Sequence, residues 1–225
     1  MFFEKNKYNL TFIGLGASNS LIINSLYSSG ILQHLKIAVV EPDGKSKNDK
    51  TYCFWATPEE VVTLGLSVLT DQHWSKLSCN GDETINIEPL RYYHVSSISL
   101  YDHTRKILSS CQVDYYQESM TGIEFSEKEN QLLLNVGDVS FLSTKVFDSR
   151  PPEWLEGEKH QSFLWQSFLG WKIKTTQPVF DKSVFTMMDF NVDQSDATQF
   201  VYILPYNENH ALVEITRFEI GRAHV

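Results

Sequence analysis

Cysteine is scarce in this chain, and its spacing suits neither of its two usual structural uses. Cys53, Cys79 and Cys111 are three among 225 residues, far apart and without a C-x-x-C pair, which argues against a disulfide framework and against a zinc or other metal site. They read as reduced core thiols. Positive charge is also short: 19 Lys and Arg against 28 Asp and Glu leave a net charge of −9, and the basic residues form no cluster, so a nucleic-acid partner is disfavoured. No apolar run is long enough to span a bilayer, no secretory leader precedes the first apolar stretch, and neither repeats nor low-complexity linkers occur. A soluble or peripheral cytoplasmic protein is expected.

What is present is a globular composition, 42% hydrophobic and 13% aromatic, enough to bury a sizeable core in one large or two modest domains. Its first ordered signal is NLTFIGLGASNSLIINSL, residues 9–26. Leu10, Phe12 and Ile13 suit a buried strand, and Leu21, Ile22, Leu26 and Ile31 fit one face of a helix that ends near Gly30. Gly14 and Gly16 form the turn between them. In a dinucleotide site the first glycine permits the sharp bend and the second lets backbone approach a pyrophosphate at the helix N-terminus. Asn19 occupies the third glycine position, so the pattern is G-x-G-x-x-(small), which an ordinary strand-to-helix turn also matches. KIAVVEPD, residues 36–43, is a second buried strand ending in Glu41. An acid there accepts hydrogen bonds from ribose hydroxyls, which favours FAD or NAD over NADP.

Residues 44–60 show no clear period and read as a loop carrying Tyr52, Phe54 and Trp55. These aromatics either staple the loop to the core or close over a flat, apolar ligand. Residues 96–110 look helical, with Ser96 or Ser97 as cap. Short strand-like runs follow, with turns at 127–130 and at Gly137-Asp138. KVFDSRPP ends in Asp148 before Arg150 and two prolines, a turn that either returns the chain to the ligand crevice or lies at the surface. Longer β-like runs come next, and Tyr206 to Asn209 joins the last two as a hairpin, since Asn tolerates positive φ. In HALVEITRF strict alternation puts Leu212, Glu214 and Thr216 on one face. Glu214 then either points to solvent or sits in an apolar site with a raised pKa.

Taken together, these segments resemble the lycopene cyclases, flavoproteins that close the ends of linear carotenoids. NDKTYCFW resembles the family's N-D-R-T-W-C-F-W; VFDSRP, QSFLGWKI, MDF and FVYILPYNENHALVEIT resemble further family segments and stand in family order. Lys50 replaces Arg, Tyr52 replaces Trp, and Ile215 stands where some members carry a second acid, which points to Glu214 alone.

The resemblance implies an α/β fold: a Rossmann-like FAD-binding βαβ domain (residues 1–150) with an antiparallel β-sheet substrate domain (residues 151–219). It implies that Gly14, Leu15, Gly16, Ala17, Ser18, Asn19, Glu41, Lys50 and Asp148 serve FAD, used in reduced form with NAD(P)H as reductant. Glu214 becomes the catalytic acid, and Phe54, Trp55, Trp171 and Tyr202 line the path of lycopene or a related carotene. A lipid-dissolved substrate implies contact with the inner face of the cell membrane. IGRAHV breaks the family pattern and resembles a translated sequencing adapter, so residues 220–225 are expected to be a non-native tail on a chain whose natural form continues.

Overall fold

The computed structural model describes residues 6–81, 83–151 and 164–220. Along the chain run β1 (Lys7–Ile13), α1 (Ala17–Ser28), β2 (Lys36–Val40), β3 (Thr51–Ala56), α2 (Pro58–Thr63), β4 (Gln72–Trp74), β5 (Lys76–Ser78), β6 (Ile85–Asn86), β7 (Arg91–Ser96), α3 (Ser97–Leu108), β8 (Gln112–Tyr116), β9 (Met120–Ser126), β10 (Gln131–Val136), β11 (Val139–Asp148), β12 (Leu164–Lys174), β13 (Val184–Asp189), β14 (Thr198–Asn207) and β15 (His210–Ile220). They make two compact units that interleave in sequence: 1–52, 62–70 and 95–153 form the first, and 53–61, 71–94 and 154–225 the second. Residues 53–61 and 71–94, which a linear division at residue 150 assigns to the first domain, pack with the second. The reason is long-range pairing: β5 lies parallel to β13, and Trp74 is buried with Phe185, Leu204 and Leu212. The tail from residue 221 and Pro152 of the double proline lie outside the described residues.

The first unit is a six-stranded sheet, β8-β2-β1-β11-β10-β9. β8, β2, β1 and β11 are mutually parallel, and β10 and β9 extend the sheet antiparallel. Ile37 and Val39 pack with Phe12, Ile23, Ile107 and Leu108 on one face. Ala38 and Val40 pack with Leu134, Val136 and Phe141 on the other. Burial on both faces is why β2 reads as an unbroken apolar run rather than an alternating one. The turns at 127–130 and Gly137 fall where the sequence placed them, with Asn130 and Gly137 at positive φ (51° and 52°). α3 is capped by Ser96, whose hydroxyl accepts from the Ser99 amide.

Two local expectations change. The inner face of α1 is mixed: Asn19, Ser20 and Asn24 are buried beside Ile23, Ile22 and Leu26 pack against the same core as expected, and Leu21 (43% exposed) and Ile31 (49%) face outward. Short amide side chains share that face because they bond backbone: Asn24 Nδ2 donates to the Leu64 carbonyl at 3.3 Å. The supposed loop 44–60 contains β3 and the start of α2. Thr57 and Glu60 bond reciprocally, the Glu60 amide to Thr57 Oγ1 (3.2 Å) and the Thr57 amide to Glu60 Oε2 (2.7 Å), a capping box legible in T-P-E-E.

The second unit carries the sheet β12-β15-β14-β13-β5-β6. β12 pairs with β15 in unbroken antiparallel register from Leu164↔Ile220 to Lys174↔His210. The β14–β15 hairpin closes without positive φ at either asparagine. Asn207 Oδ1 instead accepts the amides of Asn209 (2.9 Å) and His210 (3.0 Å), an Asx turn. Trp74 Nε1 (3.0 Å) and Gln72 Nε2 (3.2 Å) both donate to the Pro205 carbonyl and tie β4 to β14.

Candidate functional site

In the first unit the glycine turn is built for a close approach of backbone. Gly14 has φ +83°, and a Cβ there would lie 2.5 Å from Ser149 Oγ, so no other residue fits without strain. Gly16 is the N-cap of α1 and has nothing within 4 Å of where a Cβ would stand, and no side chain caps the helix. Open space beside bare backbone, at a helix start whose first amides have no side-chain partner, suits a pyrophosphate. Leu15, Ala17 and Ser18 stand around that opening. Asn19 is not part of it: its side chain is 1% exposed and its Nδ2 donates inward to the carbonyls of Ile13 (2.9 Å) and Gly14 (2.7 Å). The third glycine position is thus filled by a residue that holds the turn together.

Glu41 sits at the end of β2. Its Oε2 accepts the Leu15 amide at 2.7 Å, its Oε1 accepts the Asp43 amide at 2.9 Å, and Lys45 Nζ lies 3.5 Å from Oε2. A cavity of ≈ 250 Å³ opens beside it, lined among others by Leu15, Lys45, Tyr101, Arg105 and Tyr116. That is smaller than the 300–1,000 Å³ of a complete small-molecule site and suits one end of a long ligand. Arg105 holds the loop below, donating Nη1 to the carbonyls of Gly44 (3.2 Å) and Lys45 (3.0 Å). Lys45, Tyr101 and Arg105 were not flagged by the sequence, where they sit on a loop and a helix with no motif around them.

Two further expected cofactor residues are engaged by other partners, although Asp148 stands opposite Ile13, beside the glycine turn. Lys50 is held by its backbone, its amide donating to Ser97 Oγ (3.1 Å) and its carbonyl accepting the Ser97 amide (3.2 Å), while its side chain is exposed. The Asp148 carboxylate is taken by Arg150, whose Nε and Nη2 reach it at 3.0 and 2.8 Å. That pairing holds the Asp148 carboxyl below its usual range. The neighbouring Ser149 is what meets the glycine turn, donating to the Ile13 carbonyl at 2.9 Å.

In the second unit, Glu214 on β15 stands opposite Tyr202 on β14 and Gly170 on β12. Residues directly opposite in a ladder share a face. This face packs inward, with Leu204 and Leu212 in a core that also takes Cys53, Tyr92 and Met187. Glu214 is half-buried, and burial pushes its carboxyl pKa up, against a smaller downward pull from the Thr216 hydroxyl. Of the two readings the sequence left open, solvent or apolar site, the structure favours the second. Burial also pushes the Cys53 thiol up to about 12 and raises the hydroxyls of Tyr92 and Tyr202. All three stay protonated and within electrostatic range of Glu214.

Trp55 belongs with this group: its ring lies 4.9 Å from Tyr92 and 5.8 Å from Phe185, which stacks on Tyr92 at 4.6 Å. Phe54, one residue earlier, points the other way and stacks on Tyr93 at 5.5 Å. Trp171 pairs with Val213, is 51% exposed, and is on the opposite sheet face from Glu214. Strand alternation separates both from the carboxyl. The structure therefore brings together Glu214, Tyr202 and Trp55, adds Tyr92, Cys53 and Phe185, and sets Phe54 and Trp171 apart.

A parallel sheet with a glycine turn at β1–α1, joined to a largely antiparallel sheet, is the architecture of a Rossmann-like flavoprotein. Solved structures bear this out. The chain is similar to a p-nitrophenol 4-monooxygenase, PnpA, from Pseudomonas putida DLL-E4 (10% identity, TM-score 0.60, 97% of this chain and 60% of that one). It is similar also to the halogenase PltM, in a structure in complex with phloroglucinol and FAD (9%, 0.56, 93% and 51%), and to NikD, an amino acid oxidase (10%, 0.58, 96% and 71%). It spans about half the length of the halogenase chain and of others that it matches. No curated protein matches it in sequence. The model of the lycopene cyclase protein family matches residues 9–223, and the chain belongs to that family.

Proposed function

We propose that this chain is the FAD-binding and acid-bearing part of a lycopene cyclase that closes the ends of lycopene into β-rings. The observation that carries the reading is Glu214: a carboxyl on an inward sheet face, among hydroxyls and a thiol that stay protonated, with burial raising its pKa. An alkene is protonated by a carboxyl group only if that group keeps its proton near neutral pH, which calls for a pKa well above the ordinary value of about 4.3.

Glu214 delivers a proton to a terminal carbon–carbon double bond of the polyene. The next double bond attacks the resulting cation, a six-membered ring closes, and loss of a proton restores an alkene, with no net change in oxidation state. Glu214 acts as acid, or as acid and then base. Trp55, Tyr92 and Phe185 offer π faces around the same position, suited to a cationic intermediate. Gly14, Gly16 and the amides of Ala17 and Ser18 would hold the FAD pyrophosphate, and Glu41 its ribose. FAD bound there in reduced form, with NAD(P)H as reductant, would contribute negative charge that favours a carbocation in a dry site. Peripheral contact with the inner face of the membrane follows from the substrate. No helix among the described residues is long and apolar enough to cross a bilayer.

The structural neighbours that oxidise or oxygenate their substrates support a second reading, a flavin oxidoreductase on the same fold. Expression of the gene in bacteria that accumulate lycopene, with separation of the extracted pigments, tests the first against the second. Cyclic carotene formed with catalytic NAD(P)H supports cyclisation. Unchanged lycopene, or NAD(P)H consumed in step with an oxygenated product, overturns it.

A further inference from the structure

Met188 lies in the left-handed region (φ 54°) inside β13, where a residue with a side chain is rare and strained. It belongs to a bulge. Thr186 pairs with Ile203 but Asp189 pairs with Val201, so three steps along β13 match two along β14. Continued without the bulge, the first pairing would set Asp189 opposite Phe200. With it Phe190 takes that place, and its ring meets Phe200 edge to face at 5.2 Å. A slip of one residue exchanges the two faces of a strand. Phe200 shares a face with Tyr202, whose ring is 5.2 Å away, and Tyr202 stands opposite Glu214. The bulge thus decides that the acid's face carries a phenyl ring at this point and not a carboxylate. The displaced Asp189 is used locally, its Oδ1 accepting the Asn191 amide at 3.0 Å.

The bulge is gripped from the neighbouring strand. β5 pairs with β13 as far as Ser78↔Thr186, and the residues just beyond take hold: Cys79 Sγ donates to the Met187 carbonyl at 2.9 Å, Asn80 Oδ1 accepts the Phe190 amide at 2.9 Å, and the Asn80 carbonyl accepts Asn191 Nδ2. Asn80 is itself at φ 53°, which asparagine tolerates. We propose that Met188 and Asn80 are positioning residues that turn Phe190 onto the face of Glu214, so that Phe190, Phe200 and Tyr202 form one aromatic wall along which a linear polyene lies with its end at the acid. Phe190 is exposed and Phe200 buried, so the wall is open at its outer end and backed further in. A polyene presents only apolar and π surface, and aromatic rings meet it with no polar group to strip of water, whereas a carboxylate there would hold its hydration. The inference rests on reading Glu214 as the proton donor to a carotene.

The test places a fluorinated phenylalanine at position 190 and follows its fluorine NMR signal, the ring-current shift from Phe200 being identified by its loss in Phe200→Leu. Met188→Gly keeps access to the left-handed conformation, and Asn80→Asp keeps both that conformation and the acceptor. Both should leave the signal in place. Met188→Ile puts a branched side chain where it does not fit, and Asn80→Gly removes the acceptor alone. Both should lose the shift. A signal that stays in place in Met188→Ile and Asn80→Gly overturns the positioning; if the isoleucine variant does not fold, Asn80→Gly alone decides. Detergent micelles loaded with lycopene should move or broaden the parent signal where empty micelles do not, and no response to the loaded micelles overturns the wall. The same gene is then expressed in lycopene-accumulating bacteria. A signal that responds to lycopene in a chain that forms no ring upholds the wall and rejects the cyclase reading. Rings formed by a chain whose signal ignores lycopene do the reverse.

Discussion

Tyr202 and Glu214 face each other across the β14–β15 ladder. The pair sets the character of the acid's surroundings: the tyrosine hydroxyl is itself pushed up by burial and by the nearby carboxyl, so it remains a neutral neighbour and gives Glu214 no charge to pair with. A carboxyl without a cationic partner on a packed face keeps its proton more readily than one in water.

Glu214→Gln keeps the shape of the side chain and removes the proton. Ring formation should fall by about 10²- to 10⁴-fold, the usual worth of a positioned general acid, while FAD binding, measured by flavin fluorescence, stays within about twofold of the parent. Unchanged product yield would sink the assignment.

The same carboxyl makes stability pH-dependent. With its pKa raised in the folded state, the native protein holds this proton where the unfolded chain has released it. Its contribution is therefore complete below the ordinary glutamate value and is lost as pH rises through the higher folded value. Thermal melts of parent and Glu214→Gln should converge at low pH and separate as pH climbs above about 4.3, the glutamine variant becoming relatively more stable.

Gly14→Ala meets two obstacles, the positive φ and the Ser149 hydroxyl. Forcing a non-glycine residue into that conformation costs about 1–3 kcal/mol. The expected result is weaker FAD binding with a lower urea midpoint. Adding Ser149→Gly should recover only part of the loss, because the hydroxyl is removed and the φ cost is not.

Asn19→Ala strips the inward amide and takes its donor from the Gly14 carbonyl, while the Ile13 carbonyl keeps the amide and hydroxyl of Ser149. Each unsatisfied buried group costs about 1–3 kcal/mol. Urea unfolding of the first unit should shift to lower concentration by that order. An unchanged midpoint would show that water replaces the amide.

Much of the first unit was legible because its signals are local. The glycine turn, Glu41 at the end of β2, the Ser96 cap and the turns at 127–130 and 137–138 each depend on residues a few positions apart, where backbone conformation and short side chains decide the outcome. The inner face of α1 misled for a related reason: periodicity counts apolar residues, and Asn19 and Asn24 are buried by the hydrogen bonds they make across the fold.

The sequence by itself determined the βαβ start, the alternation that puts Leu212, Glu214 and Thr216 on one side of a strand, and the family through its ordered motifs. Only the tertiary structure decided which side of that strand is packed. The face is chosen by β14 and β12 in register and by Trp74, Phe185 and Tyr92, which arrive from distant parts of the chain. Alternation has two equivalent faces until something packs against one of them, and long-range pairing alone breaks that tie. The same pairing put Trp55 and Tyr202 with the acid and left Phe54 and Trp171 on the other sides of their strands.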